Sequence, residues 1–125
     1  FKMLAWHEIK EMHGSGLIDF EPHGVKHQKL GKIPLKEAEQ EIIESKKIIE
    51  ERLGKECRFF SYPYGNYNKD VIEILKRNGF LAGLTVKKEF VKPGTNLMEI
   101  PRNFVYHDCS KAEFKGIAGL SPIIL

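Results

Sequence analysis

The chain lacks most of the features that would place it in a specialised class. Its 125 residues include only two cysteines, Cys57 and Cys109. They show no C-x-x-C spacing, so neither a zinc cluster nor a dithiol redox motif is supported. Two buried thiols and one disulfide both remain open. No apolar stretch nears the roughly 20 residues that span a bilayer, so no transmembrane segment is expected. No charge sign dominates either: 20 basic side chains stand against 17 acidic ones, a net of +3. The densest basic patch, Lys26, Lys29 and Lys32, has no interleaved aromatics, which argues against nucleic acid and for a solvated loop. No two aspartates are adjacent; Asp19, Asp70 and Asp108 are isolated. The opening Phe1-Lys2-Met3-Leu4 has no initiator methionine and does not read as a signal peptide, so none is expected within these residues. A piece cut from a longer polypeptide is therefore expected.

What is present is ordinary globular composition, 42% hydrophobic and 30% charged, at a length suited to one domain. Strand and helix signals alternate. Trp6, Ile9 and Met12 share one face of a helix from about Trp6 to His13, which Gly14 and Gly16 break. Leu17–Phe20 reads as a short buried strand, and Pro22 ends its pairing. The longest periodic segment, Leu35 to Leu53, carries the apolar stripe Leu35, Ala38, Ile42, Ile49 and Leu53, with Pro34 before it and Gly54 after. Arg58–Tyr62 reads as a second strand, closed by Pro63-Tyr64-Gly65. Asn68 can cap a helix that buries Val71, Ile72, Ile74 and Leu75 and stops at Gly79. Phe80–Val86 and Met98–Tyr106 are further extended runs, and Ser110 can cap a last short helix. Such alternation predicts α/β architecture with parallel strands and flanking helices. Three or four strands cannot close a barrel, so exposed sheet edges are expected, and with them a possible homo-oligomer through an edge.

The most informative five residues are His23-Gly24-Val25-Lys26-His27. A helical turn from His23 would put both imidazoles on one face. Neutral imidazole is the commonest metal ligand, and a zinc-type ion needs donors converging from one side. Two exposed rings at this spacing are the bland alternative. His7-Glu8 does not extend to a zinc-protease H-E-x-x-H, because position 11 is Glu; His7 and His13 read as exposed helix residues. Trp6 reads as a packing residue.

The ordered set Trp6–Met12, Ser15–Phe20, His23-x-x-x-His27, Ser45-Lys46-Lys47, Leu53-Gly54-Lys55, Tyr62-Pro63-Tyr64-Gly65 and Ile100-Pro101-Arg102 resembles the polysaccharide deacetylases of carbohydrate esterase family four. The resemblance spans nearly the whole chain. It implies a distorted (β/α) barrel, present here in part, as a single domain over residues 1–125 truncated at its N-terminal side. It also implies a hydrolase that removes acetyl groups from N- or O-acetylated polysaccharide with a metal-activated water. The implied cofactor is a divalent ion, zinc by default, with cobalt, nickel or iron fitting the same donors. His23 and His27 map onto the metal ligands, the Tyr64 backbone N–H onto the oxyanion donor, and Tyr62, Pro63, Tyr64 and Gly65 onto a substrate-lining motif. Tyr62 reads equally well as an ordinary strand residue. Arg102 maps onto an arginine that orients the catalytic aspartate, and should share one mouth with His23, His27 and Tyr64.

The departures are informative too. The family's Asp-Asp motif, source of the anionic ligand and the base, is expected upstream of Phe1. Gly24 replaces the usual Ser or Thr, and Ser61 stands where many members carry arginine. His107 is a positional candidate for the closing histidine motif. The rival reading is a degenerate, non-catalytic domain of the same fold that binds carbohydrate or metal. An extracytoplasmic or cell-envelope location follows from the resemblance alone.

Overall fold

The computed structural model describes residues 3–119. Among the described residues four α-helices and a small parallel sheet alternate: α1 (Trp6–Gly14), α2 (Leu35–Leu53), β1 (Phe59–Ser61), α3 (Lys69–Arg77), β2 (Ala82–Leu84) and α4 (Lys111–Ile117). β1 and β2 pair in parallel, with Phe59 opposite Ala82 and Ser61 opposite Leu84. The parallel bridge from Leu84 to Ile100 extends the sheet by one position. This is the mixed α/β architecture that the alternation predicts.

The helix ends follow from local chemistry. Pro34 precedes α2 in an extended conformation, and Gly54 closes it at φ 64°, a left-handed geometry that glycine adopts without Cβ strain. The Asn68 side chain accepts the Val71 N–H at 3.0 Å and starts α3. The Ser110 side chain does the same for α4.

One face of α3 buries Val71, Ile74 and Leu75, each worth about 2 kcal/mol relative to exposure. They join Ala38 and Ile42 of α2, Phe60, Tyr62, Phe80, Cys57, Leu30 and Met98 in one core. Phe60 meets Phe80 edge-on at 5.6 Å between ring centroids. Trp6 packs as expected, with the Arg52 guanidinium 5.0 Å from its ring centre.

Three expectations need correction. Leu17–Phe20 forms no strand: Leu17 is 87% exposed, and the segment finds no ladder partner among the described residues. Contact with the sheet comes one step later. Pro22 O accepts the Ser61 N–H at 3.2 Å, and Glu21 Oε2 accepts the N–H groups of Arg58 and Phe59. Among the described residues the run from Met98 to Tyr106 forms a β-bridge at Ile100 and a single further backbone bond, Arg102 N–H to Lys87 O at 3.0 Å, because Met98 lies in a 3-10 turn and Pro101 lacks an N–H. His13 is half-buried rather than exposed, with Nδ1 3.7 Å from Asp19 Oδ1.

Lys55 ties the segment before Pro22 to the turn after α2. Its ammonium donates to Asp19, to Phe20 O at 2.8 Å and to Glu21 Oε1 at 2.9 Å. The Lys55 hydrogen bond holds the Asp19 carboxyl below its usual value. Burial opposes the Lys55 charge, yet the bonds to Asp19 and Glu21 outweigh it and raise the ammonium above its usual value. Lys55→Ala should cost about 1–2 kcal/mol near neutral pH, since Asp19 is half in solvent. The lowered Asp19 contribution is present above about pH 4 and is lost as pH falls through the folded value. The raised Lys55 contribution is present below about pH 10 and is lost as pH rises through the folded value. Urea unfolding of both proteins between pH 3 and 11 should show a gap that is flat in the middle and closes at both ends. A gap independent of pH would remove the ion pairs as its cause.

Candidate metal centre

The histidine pair lies in the loop between α1 and α2. It does not turn helically as the spacing predicts: Gly24 sits at φ 79° and His27 at φ 55°, and the chain between them bends. The rings nevertheless converge. His23 Nε2 and His27 Nε2 are 3.0 Å apart, with ring centroids at 4.7 Å. Both side chains are accessible.

The second nitrogen of His23 fixes its tautomer. Nδ1 lies 2.7 Å from Ser61 O at the end of β1. A carbonyl only accepts, so Nδ1 carries the proton and Nε2 of the neutral ring presents its lone pair toward His27. Metal-binding histidines are oriented in this way by a carbonyl or carboxylate behind them. Two zinc ligands in tetrahedral geometry stand about 3.3 Å apart, given Zn–N bonds of about 2.0–2.1 Å. The observed separation and the aligned lone pair fit two donors to one ion. Among the described residues no third His, Cys, Asp or Glu joins them. His107 therefore does not complete the set and lies in the exposed turn before α4.

The loop after β1 supplies the facing wall. Tyr64 takes φ 57° and ψ 12°, left-handed for a residue with a Cβ. His27 and Tyr64 are the non-glycine residues at positive φ among those described. Strain of this kind persists where surrounding structure enforces it, and it concentrates at functional sites. Here both strained residues meet, ring to ring, at 4.5 Å. Lys29 Nζ stands 5.4 Å from the Tyr64 ring centre. Gly65, at φ 61°, has no space for a side chain: a Cβ would lie 2.3 Å from Val86 Cγ2.

Of the four motif residues, Tyr62 and Pro63 are buried, and Tyr64 and Gly65 reach the surface. Tyr62 lies one residue past β1 with its side chain in the core, donating its hydroxyl to Met98 O at 2.8 Å and stacking on Tyr67 at 4.3 Å. Burial pushes its hydroxyl well above the usual phenol range. Its side chain is packing that supports the loop.

Arg102 reaches the same region from the end of the Ile100 bridge. Its Nε donates to Thr85 O at 3.0 Å and a terminal nitrogen to Ser61 Oγ at 3.1 Å. Ser61 is therefore held from both sides, by His23 on its carbonyl and Arg102 on its hydroxyl. Arg102 makes no ion pair among the described residues; its guanidinium is held by the Thr85 carbonyl and the Ser61 hydroxyl. Cys57 and Cys109 are both free thiols, and burial pushes Cys57 up to about 11.

One residue escaped the sequence reading. Glu41 of α2 is only 6% exposed and its Oε2 accepts the N–H groups of Val25 and Lys26. Its position, three residues after Ala38 and one before Ile42, put it on the buried face of α2. A carboxylate within an apolar stripe was the available signal.

The fold is mixed α/β with parallel strands, and two imidazoles converge beside the end of β1. The sequence matches the polysaccharide deacetylase family profile over residues 3–83, and the chain belongs to that family. A poly-β-1,6-N-acetyl-D-glucosamine N-deacetylase of Staphylococcus aureus is 31% identical over 114 residues, 85% of this chain and 39% of that protein. A polysaccharide deacetylase from Bacillus cereus superposes with a TM-score of 0.81 at 27% identity, over 91% of this chain and 36% of that one. The deacetylase PplD of Streptococcus pyogenes superposes at 0.85 and 23% identity, over 91% and 50%. The chain thus spans half or less of the length of these relatives. No helix among the described residues is long and apolar enough to cross a membrane.

Proposed function

We propose that this chain is the histidine-bearing part of a metal-dependent deacetylase that acts on an N-acetylated polysaccharide outside the cytoplasm. The observation that carries this reading is the convergence of His23 and His27, with the His23 tautomer set by Ser61 O. His23 and His27 would hold a divalent ion, zinc by default, together with a carboxylate from outside the described residues. Such an ion polarises an acyl oxygen and lowers the pKa of a bound water. The residues of this chain orient and enclose. Ser61 O fixes His23, the Tyr64 ring packs on His27, and Arg102 offers a guanidinium near the mouth for a carboxylate that acts as base. The left-handed turn at Tyr64 presents its backbone N–H as the candidate oxyanion donor, a group that needs no reorganisation as charge develops. The named activity of the Staphylococcus aureus relative makes β-1,6-linked N-acetylglucosamine the first substrate to try.

Acetate release from N-acetylglucosamine oligomers tests the reading. The 125 residues alone, loaded with zinc or cobalt, should give little or no turnover. The same chain extended at its N-terminus by the preceding segment of its reading frame should give turnover that EDTA abolishes and metal restores. Robust, chelator-sensitive turnover by the 125 residues alone would refute the need for an external carboxylate. An extended protein that binds metal yet never releases acetate would favour the non-catalytic reading.

A further inference from the structure

The loop that carries the two histidines has no regular structure of its own, yet it holds both rings in one place. Three observations identify what holds it. Glu41 Oε2 accepts two consecutive backbone N–H groups, from Val25 at 2.9 Å and Lys26 at 2.8 Å. Consecutive N–H groups that converge on one anion form a concave nest, and a loop so pinned has few alternative conformations. Glu41 itself sits on α2 between the buried residues Ala38, Ile42 and Ser45, so its backbone is anchored in the core. Finally, position 24 is packed out: a Cβ on Gly24 would lie 3.1 Å from Glu41 Oε2 and 3.6 Å from Pro63 Cγ, at a φ of 79°.

From this geometry we infer that Glu41 is the positioning residue of the histidine pair, and that Gly24 is the matching absence that lets its carboxylate reach the loop. The chain lacks a hydroxyl at position 24 that could brace the loop from within. Bracing comes instead from across the fold, from a helix side chain that bonds the backbone between the two rings. Val25 and Lys26 lie between the two ligands, so fixing their amides fixes the turn that brings His27 back to His23. Glu41 acts on the loop, whether or not an ion is bound. Its consequence for metal rests on the deacetylase reading above, and the two are measured separately.

The experiment uses the 125-residue chain and long-range proton–nitrogen NMR of the histidine rings, with amide exchange at Val25 and Lys26 and titration with zinc chloride. In the unsubstituted chain His23 should be the Nδ1–H tautomer, and both amides should exchange slowly for an exposed loop. Glu41→Ala should release both amides, shift His23 toward a tautomer mixture and weaken zinc binding at least about tenfold, the scale of lost outer-shell support. Glu41→Gln keeps an acceptor oxygen and should restore the tautomer and most of the affinity. Gly24→Ala should weaken zinc binding in the presence of Glu41 and do so less in the Glu41→Ala background, because the crowded atom is gone. An unchanged tautomer, amide protection and affinity in Glu41→Ala would overturn the assignment. So would equal losses in Glu41→Ala and Glu41→Gln that merely follow unfolding. If the unsubstituted chain binds no zinc but Glu41→Ala still releases the amides and the tautomer, the positioning role stands and the metal reading falls.

Discussion

Replacing His27 by alanine is expected to lower zinc affinity about a hundredfold or more while leaving the fold in place. The ring is exposed and contributes no core packing, so its removal should change unfolding free energy by less than about 1 kcal/mol. The backbone strain at this position stays, since alanine at φ 55° is strained as well. What is lost is one of two nitrogen donors, and with it the chelate; a single imidazole holds zinc weakly. His23→Ala should match it in affinity but differ in stability, because it also removes the donor to Ser61 O. That carbonyl is near solvent, so the added cost stays near 1 kcal/mol. Isothermal titration with zinc, paired with urea unfolding, separates the two quantities. Undiminished zinc binding by either variant would move the metal to other residues. A His27→Ala protein that unfolds would instead show the ring to be structural.

Much of the frame was legible in the sequence because its signals are local. The α2 boundaries at Leu35 and Leu53 follow from periodicity, Pro34 and Gly54, and α3 follows from the Asn68 cap and Gly79. The sheet was harder. Leu17–Phe20 has the composition of a strand, but strands exist only in pairs, and composition does not say whether a partner is at hand. The histidine pair was legible as a spacing and misread as a helical turn. Its true geometry depends on Glu41, whose bonds to Val25 and Lys26 join residues 15 and 16 positions apart. Ser61 was legible only as a substitution; that its carbonyl orients His23 and its hydroxyl meets Arg102 required the fold. Tyr62 read equally as a groove residue and an ordinary strand residue on sequence; its burial is a property of the fold that the sequence did not carry.

Gly83→Ala is expected to be the most destabilising single methyl in the sheet, at about 3 kcal/mol or more. Gly83 lies at the centre of β2, between Phe60 of β1 and the Ile100 bridge, which donates its N–H to Gly83 O at 2.8 Å. An added Cβ would sit 2.3 Å from the Tyr62 hydroxyl oxygen and 2.7 Å from Met98 O, the two atoms that bond each other. Neither can retreat. The Tyr62 ring is fully buried and stacked on Tyr67, and Met98 O belongs to the turn that leads into Ile100. Relief would have to come from moving the Ile100 segment outward. That segment carries Pro101 and Arg102, so the Arg102 contact with Ser61 should loosen, and His23 with it. Tyr62→Phe alone should cost about 1–2 kcal/mol through the donor lost to Met98 O. Combined with Gly83→Ala, it removes the nearest clashing atom. The double variant should therefore be more stable than the sum of single costs allows, by about 1 kcal/mol or more. Urea unfolding of the three variants gives the cycle, and the His23 ring resonances report whether the site moved. Strictly additive costs would show that the methyl is accommodated elsewhere and that β2 does not couple the core to Arg102 through this contact.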